Sequence, residues 1–144
     1  MAVSTTYSFA DLNVVFQHNA IGQYVANSEG IGTITVTMTT DRTTHDVAAD
    51  GAIMISKVLG RNGSIAIAIQ QTSALDAWLK RWYNYTEAAT ADQWAGMTIS
   101  MTNQLTGEQI TLAGVSAQKL PDRPYQAQGQ QVTWTLMAAD VNQQ

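Results

Sequence analysis

The chain has 144 residues, a formal net charge of −4, only 12% charged residues and no cysteine. The lack of cysteine excludes disulfides and thiolate metal sites, and the largest basic cluster, the pair Lys80 and Arg81, is too small to grip nucleic acid by its phosphates. No apolar run approaches the ~18 residues of a membrane span, and residues 1–6 lack the pattern of a secretory signal. We therefore expect one domain over residues 1–144 that folds in the cytoplasm without a membrane anchor.

Alternation of apolar and polar residues with a period of two predicts that most of the chain forms strands. Near the N-terminus, this pattern in residues 11–17 places Leu12, Val14 and Phe16 on one inward face. Threonine, valine and isoleucine are frequent in the later segments, and these β-branched residues favour strands. The later predicted strands cover residues 34–39, 65–69, 97–102, 110–112 and 132–136.

Glycine-containing turns separate these segments. Asp50-Gly51 and Thr106-Gly107 are typical of tight turns, and Asn62-Gly63 is predicted to join a strand near 53–59 to the following strand as a hairpin. The polar segment between residues 39 and 50 lies between two strand-like segments, so a long hairpin is expected to extend beyond the body of the subunit. An isolated ribbon is marginally stable alone, and pairing with a neighbour's sheet would satisfy its edges.

One amphipathic helix is predicted after residue 73. Thr72 and Ser73 can cap its N-terminus, Asp76 has a capping-box-like spacing from Ser73, and the helix is expected to end within residues 84–87. Its apolar stripe, at positions i, i+3, i+4 and i+7, consists of Leu75, Trp78, Leu79 and Trp82. The predicted fold is therefore mainly β: a small β-sandwich or open barrel with one flanking helix and a long extended hairpin.

No motif in the sequence carries recognisable chemistry. His18 and His45 lack metal-ligand spacing, and no nucleophile-elbow, P-loop or dinucleotide-binding pattern is present. We therefore predict no catalytic residue, no cofactor and no metal, with an enzyme as the last-ranked alternative. Another alternative is a monomeric binding module that holds sugars through Tyr83, Tyr85 and Trp94.

The order of several short motifs resembles the tail tube proteins of contractile-tailed bacteriophages, the myovirus-type tail tube family. None of these motifs is a chemical signature, and the sequence departs from the expected glycine-rich turn at residues 17–21. The motifs are Glu29-Gly30-Ile31, residues 34–41, 47–51, 63–67 and 71–73, together with residues 7–11 and Lys119-Leu120-Pro121.

The resemblance implies a structural protomer that works without a reaction. Related proteins form hexameric rings that stack into a hollow tube, which conducts DNA inside a contractile sheath. The implied partners are further copies of the chain, the sheath protein, baseplate or tube-initiator proteins, and tape-measure protein or DNA in the lumen. The implied location is the tail of a virion assembled in the host cytoplasm. A tube-initiating or tail-completion protein of the same fold is the nearest alternative.

Two groups of residues are expected to serve this assembly. A neutral wall suits a lumen for DNA, because positive charge would bind phosphates. The predicted lumen-facing residues are Thr33, Thr35, Thr37, Thr98, Ser100 and Thr102. The predicted inter-subunit contacts are Thr39, Thr40, Asp41, Arg42, Thr43, Thr44, His45, Asp46 and Asp50.

Overall fold

The computed structural model describes residues 4, 6–26 and 30–144, so Glu29 of the tube-like motif lies outside the described residues. Within these described ranges, a short 3-10 turn, Phe9–Asp11, precedes nine strands and two helices. The strands are β1 Leu12–His18, β2 Gly22–Ala26, β3 Ile31–Met38, β4 Thr43–Val47, β5 Ile53–Lys57, β6 Gly63–Gln70, β7 Met97–Asn103, β8 Gln109–Ala117 and β9 Gln131–Gln143. The helices are α1 Ala74–Glu87 and the single-turn α2 Ala91–Trp94.

Seven strands form one curled antiparallel sheet in the order β2-β1-β7-β8-β9-β6-β3. The sheet makes a half-barrel, and β4 and β5 form a separate two-stranded ribbon. The mainly-β prediction with one principal helix and a long hairpin is therefore confirmed. No helix in the described part of the chain is long and apolar enough to cross a bilayer.

The inward face of the half-barrel carries the core. Ile65, Ile67 and Ile69 of β6 are fully buried, whereas the alternating Ala66 and Ala68 are half-buried on the outward face. Helix α1 packs on the inward face. The ring centre of Trp78 lies 6.0 Å from that of Phe16, and the ring centre of Tyr83 lies 6.5 Å from that of Trp134. All four residues of the predicted helix stripe, Leu75, Trp78, Leu79 and Trp82, are buried, which confirms that stripe.

The N-terminus of α1 confirms one predicted cap and corrects another. The Ser73 Oγ accepts a hydrogen bond from the Leu75 N–H at 3.2 Å, as expected of an N-cap. The capping box with Asp76 was wrong, because the Ser73 N–H donates to the Gln70 carbonyl at 3.0 Å. Asp76 instead turns into the protein and is 2% exposed.

Asp76 ties three parts of the fold together. Its carboxylate accepts two hydrogen bonds from the Arg123 guanidinium, at 2.9 and 3.1 Å, and one from the Trp134 indole N–H at 3.0 Å. These hydrogen bonds raise the pKa of Arg123 above its usual value, so the guanidinium stays charged. Because Arg123 lies in the β8–β9 connection and Trp134 in β9, the carboxylate fixes that connection against α1 and the sheet.

The strand near residues 53–59 does not pair with β6, so the predicted Asn62-Gly63 hairpin is wrong. β5 pairs with β4, and β6 pairs with β3, with Met38 opposite Gly63. A glycine is required there because a Cβ at Gly63 would lie 2.6 Å from the Thr37 carbonyl oxygen. Asn62 instead extends the pairing of β3 with β6, since its carbonyl accepts a hydrogen bond from the Thr39 N–H at 3.1 Å.

The first hairpin forms although its turn departs from the glycine-rich pattern. His18 is 1% exposed at the end of β1, and its Nδ1 accepts a hydrogen bond from the Ala20 N–H at 3.1 Å. Its Nε2 lies 3.0 Å from the Gln93 carbonyl oxygen, and Nδ1 acts as the acceptor, so Nε2 carries the proton. The side chain of His18 thus supplies a hydrogen bond that holds the turn, and Gly22 takes a positive φ of +101° where β2 begins.

Candidate assembly surfaces

The ribbon, defined as β4, β5 and their connection over residues 43–57, projects from the half-barrel. Its ladder extends by one residue pair toward the body, because the Val58 N–H donates to the Arg42 carbonyl at 2.8 Å and the Arg42 Nη1 donates to the Val58 carbonyl at 2.9 Å. At its tip, Gly51 has φ +89° and its N–H donates to the Ala48 carbonyl at 3.0 Å. Every strand residue of the ribbon is exposed, so the described part of the protomer covers neither ribbon face.

The register of the ribbon gives it two unlike faces. Residues directly opposite each other in an antiparallel pair share a face. One face, which we call the apolar ribbon face, carries Val47, Ile53 and Ile55, which are 65%, 57% and 68% exposed. The same face also carries Thr43, His45 and Lys57, and the opposite face carries Thr44, Asp46, Met54 and Ser56.

The predicted contact residues are spread over both ribbon faces and over its base. His45 and Thr43 lie on the apolar ribbon face, whereas Thr44 and Asp46 lie on the opposite one. Others make bonds that shape the ribbon itself. The Thr40 hydroxyl donates to Asn62 at 2.6 Å, Arg42 binds the Val58 carbonyl, and the Asp50 carboxylate accepts the Ala52 N–H at 3.1 Å. Thr39 and Asp41 lie exposed at the base.

The sequence prediction missed the apolar residues of the ribbon, since it named polar residues and only one of the two strands. The signal was present in Ile53 and Ile55, which alternate in β5. Their importance depends on pairing with β4, because this register brings Val47 opposite Ile53 and produces one contiguous apolar patch.

The outward side of β3, β6 and β9 forms a wall of uncharged and mostly small side chains, which we call the threonine wall. Alternation along each strand and the register across strands arrange nine residues in three rows. The rows are Thr33, Ala68 and Thr133; Thr35, Ala66 and Thr135; and Thr37, Ser64 and Met137. None of the nine carries a charge, as expected of a neutral wall.

The second predicted lumen group lies on the outward side of another part of the sheet. Thr98, Ser100 and Thr102 belong to β7, three strands away from β6 in the sheet order. On the inward side, Met101 of β7 and Ile34 of β3 line one groove, so these strands face each other across it. Their outward residues therefore point away from one another, and the structure does not bring the two predicted groups together.

The described residues contain no group of three or more histidine, aspartate, glutamate or cysteine side chains that could hold a metal. The aromatic residues of the sugar-binding alternative are also separated. Tyr83 packs on Trp134, whereas the ring of Tyr85 lies 5.4 Å from His18. Since residues two apart differ by about 200° around a helix, Tyr83 and Tyr85 do not form one face, and the 51% exposed Trp94 lies beyond α1.

Comparison with known proteins agrees with this architecture. A family model described as Bacteriophage PhiTE tail tube protein matches residues 4–144. A chain in the cryo-EM structure of the anti-feeding prophage tube-terminating cap is similar in fold, with 16% identity, a TM-score of 0.62, and coverage of 100% of this chain and 94% of that chain. A search of curated sequences gave no match.

Two chains from an extracellular contractile injection system, PVC, share the fold as well. One, from the sheath–tube complex in the extended state, has 12% identity and a TM-score of 0.60, with coverage of 99% of this chain and 93% of that one. The other, from the sheath/tube terminator, has 15% identity and a TM-score of 0.61, with 99% of both chains covered. The family model places the chain in the class of phage tail tube proteins, and the solved structures show that the fold is shared with chains of contractile injection systems. Within that class, this chain belongs to the Bacteriophage PhiTE tail tube protein family.

Proposed function

We propose that the chain is a structural protomer of a phage tail tube, which forms hexameric rings that stack into a hollow conduit for DNA. The observation that carries this proposal is the exposed ribbon, whose apolar face is left uncovered by the residues that the structure describes. Three β-branched apolar side chains left in water favour association, because burying each completely is worth about 1.5–3 kcal/mol. The family supports a tube as the product of that association.

The protomer acts mechanically in this proposal and catalyses no reaction. We infer one tail-tube domain over residues 1–144, because β1 and β9, near the two ends of the chain, lie in the same sheet. We also infer that the sheath protein and the baseplate are partners, since similar folds occur in a sheath–tube complex and in an anti-feeding prophage baseplate. The tube lies in the virion tail, encloses tape-measure protein or DNA, and assembles in the host cytoplasm.

The threonine wall is the surface that we assign to the lumen. It is contiguous with the ribbon through β3 and β6, and β3 is a free edge of the sheet that closure into a ring would cover. Uncharged hydroxyl and methyl groups release no counterions from DNA and therefore do not bind it tightly. Thr98, Ser100 and Thr102 point away from this wall and form the competing choice.

Imaging of the purified chain tests the proposal. Electron microscopy and light scattering over a range of concentrations should reveal six-fold rings or hollow tubes. A strict monomer at every concentration, also after addition of a baseplate, would refute the proposed function.

To test whether the threonine wall lines the lumen, Thr35→Cys and Ser100→Cys should each be labelled with an electron-dense maleimide before assembly. The labelling is specific because the chain contains no cysteine. Density inside the lumen is expected only for Thr35→Cys, and the reverse result would assign the lumen to β7.

A tube terminator is the second candidate function, because similar folds occur in a tube-terminating cap and in a sheath/tube terminator. A tube protomer must be present in many copies per particle, whereas a terminator forms a single layer at one end. Quantitative mass spectrometry of purified particles distinguishes them. About six copies per particle would favour the terminator, and a copy number many times greater would favour the protomer.

A further inference from the structure

An apolar groove opens at the end of the half-barrel from which the ribbon projects. The strand register locates it there, because Gly63 at the start of β6 lies opposite Ala138, and β9 continues past this point to Gln143, which faces Ile110. The groove has a volume of about 180 Å³ and carries the exposed Glu108 on its border. Its apolar lining consists of Leu12, Ile34, Val36, Met101 and Ile110.

The apolar ribbon face matches this groove in chemistry and in charge. Its isoleucine and valine side chains are exposed, and Lys57 lies on the same face, next to Thr43 at the base of the ribbon. Glu108 at the groove is a carboxylate of opposite sign. Within the described part of the chain, neither Lys57 nor Glu108 forms an ion pair, so both charges are available to a partner.

The ribbon does not occupy the groove of its own chain, because Val47, Ile53 and Ile55 remain more than half exposed. Two copies can satisfy both surfaces by a head-to-tail contact in which the ribbon of each copy enters the groove of the next. Rotation about a ring axis keeps the same end of every protomer at the same level, whereas stacking places opposite ends together. Since ribbon and groove lie at one end, rotation brings them together.

We propose that the groove is the docking site for the apolar ribbon face of the neighbouring copy in the same ring, with Lys57 of one copy beside Glu108 of the next. This inference rests on the proposed ring-forming function and names the surfaces that close the ring. The occupant is a second copy of this chain because the complementary apolar and charged groups are both present on the chain itself.

Cysteine cross-linking tests the contact directly. Chains carrying Ile55→Cys are mixed with chains carrying Ile110→Cys, assembled, and treated with a short bis-maleimide. Mixed dimers are expected, and a chain carrying both substitutions should give a ladder that ends at six. The matched control is Ser56→Cys with Ile110→Cys, because Ser56 is adjacent in sequence but lies on the other ribbon face. Rings that form without an Ile55→Cys to Ile110→Cys link would overturn the inference and leave the proposed function intact, whereas a parent chain that forms no rings would overturn both.

Charge reversal provides a second test that does not alter the apolar lining. Lys57→Glu and Glu108→Lys should each raise the concentration needed for ring formation by about tenfold, and the double reversal should restore it. Arg81→Glu is the control, since Arg81 is exposed on α1 away from both surfaces. Single reversals without effect, or a double reversal no better than the single ones, would overturn the pairing.

Discussion

Helix α1 and the ribbon both present an apolar stripe, yet the protomer buries only one of them. On α1, Leu75, Trp78, Leu79 and Trp82 are at most 3% exposed, because the half-barrel covers them. On the ribbon, the three apolar side chains are 57–68% exposed. The difference shows that the core of the protomer is complete without the ribbon. The apolar ribbon face therefore adds little to the stability of the monomer, which agrees with the assembly role that we propose for it.

The largest expected effect comes from placing a charge on the apolar ribbon face. Ile55→Asp should abolish rings and tubes, because a buried unpaired carboxylate is strongly unfavourable at an interface. Its free energy of unfolding as a monomer should stay within about 0.5 kcal/mol of the parent, as for other exposed positions. Sedimentation and urea unfolding measure the two properties separately. Ser56→Asp, the neighbour on the opposite face, is the matched control and should assemble, and equal loss in both variants would contradict the two-faced description.

The opposite behaviour is expected at Asp76, which anchors the body. Asp76→Ala leaves the partly exposed Arg123 guanidinium and the buried Trp134 N–H without their acceptor, and the loss of hydrogen bonds to a charged group should cost about 1.5–3 kcal/mol. Urea unfolding of the monomer measures this loss. Asp122→Ala is the control, because Asp122 is exposed and precedes Arg123 in the sequence. A loss below about 1 kcal/mol would show that Asp76 does not anchor the β8–β9 connection.

Two buried tryptophans of the half-barrel differ in the hydrogen bonding of their indole N–H groups. Trp134 donates its indole N–H to Asp76, whereas the Trp82 Nε1 is buried and has no hydrogen-bond partner among the described residues. Phenylalanine at either site leaves a similar cavity, but only Trp134→Phe also breaks a bond to a charged group, worth about 1.5–3 kcal/mol. Trp134→Phe should therefore lower the free energy of unfolding by about 2 kcal/mol more than Trp82→Phe. Equal losses in urea unfolding would refute this explanation.

A smaller effect is expected where the ribbon joins the body. Gly63→Ala brings a methyl group against the Thr37 carbonyl oxygen and should cost about 1–3 kcal/mol as the backbone shifts. Gly129→Ala is the control, since nothing lies within 4 Å of a Cβ there. Thermal unfolding compares the two variants. Equal melting temperatures would mean that β3 and β6 can separate at this point without loss.

The sequence predicted the parts of the fold that depend on local periodicity. The buried stripe of α1, its Ser73 cap and the alternation of Ile65, Ile67 and Ile69 follow from spacing alone. Features that depend on distant pairing were not predicted. Asp76 was expected to bond within its own helix, but its partner Arg123 lies 47 residues away.

The same limitation affected the candidate surfaces. Thr35 and Ser100 both lie on outward strand faces, as alternation predicts, but sequence cannot tell that the sheet curls and turns these faces apart. The apolar ribbon face was missed because it exists only in the β4–β5 register. The wrong hairpin at Asn62-Gly63 has a related cause, since an Asn-Gly pair favours a tight turn but does not determine which strands pair.

Thiol labelling of a single cysteine on the ribbon tests the central claim most directly. Ile55→Cys and Ser56→Cys would each carry the only thiol in the chain, so maleimide labelling reports on one ribbon face at a time. In the monomer, both thiols should react at similar rates. After assembly, the account predicts strong protection of Ile55→Cys and continued labelling of Ser56→Cys. Unchanged labelling of Ile55→Cys in well-formed rings or tubes would contradict the assignment of the apolar ribbon face to the subunit interface.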